Sequence, residues 1–208
     1  MQTSDNELIV WGIGTPRTFR VYWALEAFEV PYRYMPVKPR TPAMDDAAFL
    51  AVSPGKKIPA LEDGSVKLVE SGAIVFHVFE KYSSQSQTGL ELSETLRWSF
   101  FALMELDATA LYVIRRHQGL PEIYGQAPTA VQSAKEYFDR QIEVVNRVLS
   151  DGRKYMVGDA LSPADILIAS CCDWAIAYEL NLPADILSYH SNLKALPSYQ
   201  RAHRRNYA

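Results

Sequence analysis

The stretch "SPGKKIPALEDGSVKLVESGAI", residues 53–74, decides the fold. An Asp-Gly pair separates two short runs, "PALE" and "SVKLV", and this is the strongest short-range signal for a β-hairpin. Pro59 stands at the entrance of the first strand, and Glu70 with Ser71 stands where the helix "SGAIVFHVFEKY" should begin. These residues have two interpretations. They are either ordinary punctuation or a docking edge for a small peptide-like ligand.

The segments before this stretch alternate between strand and helix patterns. "ELIVWGI" and "YRYMPV" predict strands, and "AMDDAAFLAV" predicts a short helix. "TPRTFRVYWALEAF" predicts a longer helix, with Thr15 as N-cap and Pro16 at the first helical position. The order β-α-β-α-β-β-α favours parallel pairing at the front of the sheet and an antiparallel hairpin at the back.

The rest of the chain shows only helix patterns. The polar segment "SSQSQTGLEL" predicts a linker at residues 83–92, and long amphipathic helices follow. "SPADILIASCCDWAIAYEL" is apolar on nearly every side, which indicates a helix at the centre of a bundle, and its Ser162 and Asp165 have capping-box spacing. The expected architecture is therefore α/β plus all-α: an α/β domain at 1–82, then the linker, then an all-helical domain at 93–208.

Composition limits the classes of function. The chain has 208 residues with ordinary apolar and charged content, and its net charge of −3 argues against a general nucleic-acid-binding surface. Adjacent Cys171 and Cys172 form no disulfide framework, which favours a reducing compartment. The N terminus lacks the pattern of a signal peptide, and the longest apolar run is too short for a membrane span. We expect a soluble, cytoplasmic protein.

Three motifs resemble those of the cytosolic-type glutathione S-transferases: "KKIPALEDG", "LVESGAI" and "VGDALSPADILIA". Their order and distances are specific, and the resemblance covers essentially the whole chain. It implies a thioredoxin-like first domain, a helical second domain and a homodimer. It also implies glutathione as co-substrate, without a metal, and a role in detoxification.

The resemblance answers the question raised by Pro59. In this family the matching proline follows a cis peptide bond, and the backbone of Ile58 would pair with the cysteinyl backbone of glutathione as an added strand does. Ser71 would bind the γ-glutamyl carboxylate with its hydroxyl and amide, because a helix start offers unpaired N–H donors. Glu70 would face the γ-glutamyl ammonium group.

Basic residues would bind the other end of glutathione. Lys57 matches the family position for the glycine carboxylate, and Arg40 or Lys56 could assist. The alternative is that Ser71 is only an N-cap and that the two lysines belong to a solvated loop.

Thr15 occupies the position at which the serine-type members of the family carry the hydroxyl that stabilises the glutathione thiolate. Threonine departs from the commonest pattern there, although its hydroxyl donates equally well and only its rotamer is more restricted. The alternative is that Thr15 accepts from the helix amides as an N-cap. Thr18 and the backbone amides near Pro16 and Arg17 are then the competing donors. Tyr22 lies too far into the helix to be a strong candidate.

The electrophile's pocket should lie between the domains. Tyr112, Arg115 and Arg116 are its candidates, since an arginine can meet an anionic substrate or a developing negative charge. The alternative interpretation is a solvated helix end.

Other conspicuous residues receive no functional assignment. Phe101, Met104 and Trp174 are predicted to belong to the core. His77 and the tail cluster at 203–205 have no partner set and indicate neither metal nor nucleic acid binding.

Three functions stay open. The first is conjugation of glutathione to a small hydrophobic electrophile. The second is a glutathione-dependent isomerase or lyase, in which the thiolate adds and then departs. The third is a glutathione-binding module without turnover. The absence of a cysteine near Thr15 disfavours the thiol-transferase chemistry of cysteine-type relatives.

Overall fold

The computed structural model describes residues 7–84 and 87–208, which divide into two compact units. The first unit begins with β1 (Leu8–Trp11), α1 (Pro16–Ala27), β2 (Arg33–Met35), a 3₁₀ turn (Pro42–Asp45), α2 (Ala47–Leu50), β3 (Ala60–Asp63), β4 (Val66–Val69) and α3 (Ser71–Tyr82). The second unit holds α4 (Gly89–Phe101), wide π-type turns (Ala102–Leu111), α5 (Tyr112–Ile114), further wide turns (Arg115–Gly119), α6 (Pro121–Tyr124), α7 (Pro128–Leu149), α8 (Pro163–Ala177) and α9 (Ala184–Lys194). The last helix, α10 (Pro197–Tyr207), belongs to the first unit.

The sheet of the first unit has the strand order β2-β1-β3-β4. β1 pairs in parallel with β2, and β3 pairs antiparallel with both β1 and β4. Gly64 lies in the tight turn between β3 and β4 with φ 60°, a conformation that glycine adopts without a Cβ penalty. The predicted parallel front, the antiparallel hairpin and the thioredoxin-like order of elements are all confirmed.

One apolar cluster lies beneath the sheet of the first unit. Its buried members are Trp11, Val37, Phe49, Val52 and Ala60. The rings of Trp11 and Phe49 lie 5.9 Å apart, which joins β1 to the short helix α2. Ile58 packs partly buried against the same cluster, so the segment before β3 is held close to β1.

The predicted central helix of the helical part is confirmed by α8. Nearly every residue from Pro163 to Ala175 is buried, and Asp173 is the exception. Cys171 and Cys172 are fully buried and carry reduced thiols. Burial raises the pKa of the Cys172 thiol well above its ordinary value, so this cysteine is an inert packing residue.

The terminal helix and the start of α4 differ from the boundaries drawn on the sequence. α10 packs on α1, where the rings of Phe19 and Tyr199 lie 5.0 Å apart and Arg201 Nε donates to Glu26 Oε2 at 2.7 Å. The sequence boundaries place α10 in the helical domain at 93–208. α4 begins at Gly89, inside the predicted linker 83–92, of which residues 85 and 86 lie outside the described residues. The boundaries themselves stay predictions.

The core prediction in the second unit is wrong for Met104. Trp174 is 5% exposed, but Met104 is 56% exposed. The buried residues of this segment recur at helical spacing: Ala102, Leu106, Asp107, Ala110 and Leu111. Met104 lies halfway between two of them along the chain and therefore points away from the core.

Candidate functional site

Thr15 is the N-cap of α1. Its Oγ1 accepts from the amide of Thr18 at 3.0 Å, and the amide of Thr15 donates to Thr18 Oγ1 at 3.0 Å. The two threonines form a reciprocal capping box, which satisfies helix-terminal donors that would otherwise be unpaired. The N-cap role predicted for Thr15 is confirmed. This role uses a lone pair of the hydroxyl and leaves its proton.

Asn206 of α10 contacts both capping threonines. Thr18 Oγ1 lies 2.6 Å from Asn206 Oδ1, while Asn206 Nδ2 donates to the Thr15 carbonyl at 3.0 Å. The Thr15 carbonyl lies 2.8 Å from Thr18 Oγ1 as well, and since this oxygen and Asn206 Oδ1 can only accept, Thr18 donates its proton to one of them. The amide of Gly14 also donates to Asn206 Oδ1, at 3.2 Å. The Thr15 hydroxyl therefore keeps a proton that it can donate to Thr18 Oγ1, at 3.0 Å, or to an anion that approaches.

Tyr22 cannot serve as the donor to an anion. Its side chain is fully buried, and its hydroxyl donates to the carbonyl of Gly12 at 2.7 Å. Burial, assisted by the nearby Tyr32, raises the pKa of Tyr22 above its ordinary value. This agrees with the sequence, in which Tyr22 lies too far into the helix to be a strong candidate for the thiolate donor.

The segment before β3 lies against the start of α1. The peptide bond between Ile58 and Pro59 is cis, as the resemblance implies. Gly12 has φ 113°, and a Cβ placed on it would lie 2.6 Å from Ile58 Cβ and 2.9 Å from Thr18 Cγ2. Only glycine allows these two segments to approach so closely. Within residues 7–84 and 87–208, the amide and carbonyl of Ile58 have no hydrogen-bond partner, so both can pair with an added strand.

The N terminus of α3 has an open cap. Glu70 is the N-cap residue, has φ 71° and ψ 113°, and makes no side-chain cap hydrogen bond. In the described part of the chain, the amides of Ser71, Gly72 and Ala73 have no acceptor. Unpaired amides at the positive end of a helix dipole favour a bound anion.

Arg20 supports this helix start from beneath. It is fully buried in α1, and its Nη1 donates to Ser71 Oγ at 3.3 Å. Because this bond occupies a lone pair of Ser71, the Ser71 hydroxyl can direct its proton outward. Arg20 is a site residue that the sequence reasoning missed.

Asp63 anchors α3 to the end of β3. It is buried and accepts from His77 Nε2 at 2.9 Å and from Lys81 Nζ at 2.5 Å. Burial alone would raise the pKa of Asp63, but these two donors hold it below its usual value. His77, which the sequence left without a partner, therefore belongs to a structural clamp.

The basic residues near the cis bond are not equivalent. Lys56 forms an ion pair with Asp45, and its φ of 51° turns the loop. The backbone of Lys57 is fixed on both sides by Ser53, whose Oγ donates to the Lys57 carbonyl at 2.8 Å and accepts from its amide at 3.1 Å. Lys57 and Arg40 have exposed side chains without an ion-pair partner in the portion of the chain that is described. Lys57 is therefore better placed than Lys56 to meet a carboxylate.

The predicted electrophile residues lie in the second unit. The guanidinium of Arg116 lies 4.4 Å from the centre of the Tyr124 ring and 5.9 Å from that of Tyr112, and Arg115 also lies 5.9 Å from Tyr112. These cation–π contacts fix the two arginines beside aromatic rings. A role of these residues toward a substrate stays a prediction.

The described residues offer neither a metal-binding cluster nor a membrane-spanning helix. They contain no group of three or more His, Cys, Asp or Glu side chains that could hold a metal ion. None of their helices is long and apolar enough to cross a membrane.

Comparison with known proteins identifies the fold and its family. The model of the glutathione S-transferase N-terminal domain matches residues 6–80, and that of the C-terminal domain matches residues 101–198. The chain belongs to the glutathione S-transferase family. The resemblance seen in the sequence is thereby confirmed.

Proteins with quite different names are similar to the chain. The disulfide-bond oxidoreductase YfcG of Escherichia coli is 27% identical over 210 residues, which cover 90% of each chain. The glutathione S-transferase-like protein gedE of Aspergillus terreus is 28% identical over 183 residues, covering 80% of this chain and 73% of that protein. A glutathione transferase from Pseudomonas putida was solved with one glutathione disulfide bound per subunit. Its structure matches this chain with a TM-score of 0.81 at 22% identity, and the match covers 97% of this chain and 92% of that protein's chain.

The structure brings together the first-unit residues predicted from the sequence and adds others. Ile58 and Thr18, the capping partner of Thr15, both lie against Gly12, and Arg20 links α1 to Ser71 at the start of α3. Sequence reasoning did not find Asn206, because its contact with Thr15 spans 191 positions. Arg20 did leave a signal, because it is the one charged residue in the otherwise apolar run "FRVYWAL" at 19–25.

Proposed function

We propose that this member of the glutathione S-transferase family binds glutathione beside the N termini of α1 and α3, stabilises its thiolate and adds the sulfur to a small electrophile. The observation that carries the proposal is the hydroxyl of Thr15. Its lone pair is occupied by the Thr18 amide, and its proton stays available for a sulfur anion. Because the Thr15 oxygen already accepts from the Thr18 amide, the Thr15 hydroxyl can donate its proton to an anion as a charged hydrogen bond.

Glutathione would lie across three sets of contacts. Its cysteinyl backbone would pair with the amide and carbonyl of Ile58, in the manner of strand addition. Its γ-glutamyl carboxylate would accept from the hydroxyl and amide of Ser71, and its ammonium group would face Glu70. Its glycine carboxylate would face Lys57, assisted by Arg40. These assignments place both carboxylates against positive charge and the ammonium against a carboxylate.

The chemistry needs a thiolate at neutral pH. A free thiol has a pKa of about 8.5, so only a few per cent is ionised at pH 7. A charged hydrogen bond from Thr15 and the positive end of the α1 dipole both favour the ionised form. The thiol proton leaves to solvent, the sulfur forms a bond to the electrophilic carbon, and the leaving group departs with the electron pair of the broken bond.

Disulfide exchange is a second candidate reaction. Two of the similar proteins, YfcG and YghU of Escherichia coli, are named disulfide-bond oxidoreductases. Cys171 and Cys172 are fully buried, so a protein thiol could not attack. Bound glutathione thiolate would instead attack a disulfide sulfur, form a mixed disulfide and release the other sulfur as a thiolate. The isomerase or lyase reaction and binding without turnover stay open beside it.

We also propose a homodimer, as the resemblance implies. Apolar side chains on one side of the segment 100–104 support it, since Phe100 is 59% exposed and Met104, one turn later, is 56% exposed. Sedimentation velocity should give twice the mass of the chain. A monomer at micromolar concentration would contradict the proposal. A cytoplasmic location and a role in detoxification stay predictions.

Two measurements test the proposed function together. Calorimetry should show binding of reduced glutathione, and a chlorodinitrobenzene should be conjugated faster than in the uncatalysed reaction. Binding without turnover of this compound or of a small disulfide would leave a binding module. The absence of glutathione binding would overturn the proposal. If glutathione is regenerated during turnover, the reaction is isomerisation or elimination rather than conjugation.

A further inference from the structure

A cleft in the first unit lies between β2 and α10. It has a volume of about 540 Å³, which is within the range of small-molecule sites. Tyr34 and Lys38 line it on the side of β2, and Arg204 and Arg205 line it on the side of α10. We call it the basic cleft.

Two residues that line the basic cleft are close in sequence to the groups that position Thr15. Ile13, which lines it, precedes Gly14 and Thr15. Arg205 precedes Asn206, the residue that donates to the carbonyl of Thr15. A molecule in the cleft therefore contacts both segments that position the candidate thiolate donor.

The side chains that line the cleft carry a net positive charge, although the whole chain has a net charge of −3. Arg201 is neutralised by Glu26, the one acidic side chain in the lining, at 2.7 Å. Arg205 lies over the ring of Tyr34, with 4.6 Å between its guanidinium carbon and the ring centre. Lys38 and Arg204 have no ion-pair partner anywhere in residues 7–84 and 87–208.

Two unpaired cations facing one cleft repel each other, and a bound anion removes that repulsion. Arg205, with its guanidinium over the Tyr34 ring, carries N–H donors of the kind that match a carboxylate. Tyr34, Pro36 and Ile13 supply apolar surface for the body of the same molecule. The lining thus fits a molecule with a small apolar body and an anionic group.

We propose that the basic cleft binds the acceptor of the glutathione thiolate and that this acceptor carries a carboxylate. The inference rests on the proposed function and adds to it the charge of the substrate. It modifies the expectation of a small hydrophobic electrophile, and it places the acceptor in the first unit instead of beside Tyr112, Arg115 and Arg116. The reaction itself is unchanged: a sulfur–carbon bond forms while a carbon–halogen bond breaks, or one disulfide bond replaces another.

The test compares acceptors that differ only in charge. A chlorodinitrobenzoate is paired with the matching chlorodinitrobenzene, and dithiodipropionate is paired with hydroxyethyl disulfide. For each pair kcat/KM is divided by the uncatalysed rate constant with glutathione, which removes differences in intrinsic reactivity. We expect the anionic member of the pair that is turned over to be preferred at least tenfold. The pair that reacts also distinguishes a carbon electrophile from a disulfide as the source of the carboxylate.

A variant that lacks two charges of the basic cleft tests whether the cleft causes the preference for anionic acceptors. Lys38→Gln/Arg204→Gln should lower the anionic preference about tenfold. The control Lys194→Gln/Arg147→Gln removes one exposed lysine and one exposed arginine from the second unit, and it should keep the preference within about twofold. Raising the salt from about 0.1 M to about 1 M shortens the screening length from about 10 Å to about 3 Å and should also reduce the preference of the parent protein.

The outcomes separate the two proposals. If glutathione does not bind and neither pair is turned over, the proposed function fails and this inference fails with it. If acceptors are turned over without preference for the anion, or if both double variants change the preference equally, only the inference is overturned. All four substituted residues are exposed, and melting curves of the variants verify that they fold.

Discussion

The N termini of α8 and α3 solve the same problem in opposite ways. At α8, the fully buried carboxylate of Asp165 accepts from the amide of Ser162 at 2.8 Å and from its hydroxyl at 2.6 Å. It also accepts from the amide of Met156 at 2.7 Å and from the hydroxyl of Tyr189 at 2.6 Å. At α3, the N-cap residue Glu70 makes no side-chain cap hydrogen bond, and within the described residues the amides of Ser71, Gly72 and Ala73 have no acceptor.

The cap of α8 serves the stability of the fold, and the cap of α3 is suited to binding a ligand. A buried helix start without partners is unfavourable, so a closed cap such as that of α8 stabilises the fold. An open cap gives up that stabilisation and keeps donors for a ligand. Thr15 at the start of α1 combines the two, since its oxygen closes the cap while its proton stays available. Burial raises the pKa of Asp165, and the bonds from Ser162 and Tyr189 oppose that rise.

The largest expected effect comes from breaking the closed cap. Asp165→Ala leaves several buried donors without an acceptor, and each costs about 1–3 kcal/mol. We expect the free energy of unfolding, measured with urea, to fall by about 3–5 kcal/mol. The sequence alone suggested only the cost of an N-cap, about 0.5–2 kcal/mol. The contacts with Met156 and Tyr189 account for the larger figure.

A control for this substitution is Asp185→Ala, in the exposed first turn of α9, which should cost less than about 1 kcal/mol. The folded Asp165→Ala protein should bind glutathione like the parent. Unchanged stability together with lost binding would reverse the roles of the two caps.

The next effect comes from removing a donor at the open cap. Ser71→Ala removes a hydrogen bond to a charged carboxylate, worth about 1.5–3 kcal/mol, so the Kd for glutathione should rise roughly ten- to a hundredfold. It also removes the acceptor of the Arg20 bond, so a small loss of stability should accompany it. Calorimetry measures the first quantity and melting curves the second.

Ser65→Ala, in the exposed hairpin loop, serves as the matched control and should change neither quantity. If Ser71→Ala binds glutathione as tightly as the parent while folded, the carboxylate site is assigned to the wrong residues.

The sequence predicted those parts of the site that depend on local signals. Asp-Gly sets the β3–β4 hairpin, Thr15 and Pro16 start α1, and Ser162 with Asp165 starts α8, because each involves residues a few positions apart. The contacts that assemble the site are long-range. Arg20 reaches Ser71 across 51 positions, and no local pattern encodes such a pair.

The tail cluster shows the same limit. Arg204 and Arg205 have no local partner in the sequence, and they become part of a cleft only because α10 packs on α1 beside β2. The packing of α10 depends on burial of Phe19 and Tyr199 against each other, which periodicity within either helix does not specify.

The third prediction concerns Thr15, whose oxygen caps α1 while its proton stays available for a ligand. Thr15→Val keeps the branched shape and removes the hydroxyl, whereas Thr15→Ser keeps the hydroxyl. Ultraviolet absorbance of bound thiolate should show that the glutathione pKa rises by roughly one to two units in the Val variant and stays low in the Ser variant, because a charged hydrogen bond is worth about 1.5–3 kcal/mol. Activity should follow the pKa.

The Val variant also loses the cap acceptor for the Thr18 amide, so melting curves and glutathione affinity must be measured on the same samples. If bound glutathione titrates alike in the Val variant and the parent, Thr15 is only a cap. Thr18 or the amides near Pro16 and Arg17 would then stabilise the thiolate.

The smallest effect concerns Glu70, whose φ of 71° is unusual for any residue with a Cβ. Glu70→Ala keeps the backbone penalty and removes the carboxylate, and Glu70→Gly removes both. We expect Glu70→Gly to be more stable than Glu70→Ala by about 1 kcal/mol in urea unfolding without ligand. Both variants should bind glutathione more weakly by at most about 1 kcal/mol, since an exposed ion pair contributes little.

A glutathione analogue that lacks the γ-glutamyl amino group separates the carboxylate from the backbone. If Glu70 acts through the ammonium, the analogue should bind the parent and both variants with equal affinity, because the group that Glu70 would contact is missing. If the variants weaken the analogue as much as glutathione, Glu70 acts by holding the backbone that presents the Ser71 amide. In that case Glu70→Gly and Glu70→Ala should differ in affinity, since only the alanine keeps the Cβ that restricts the backbone at this position.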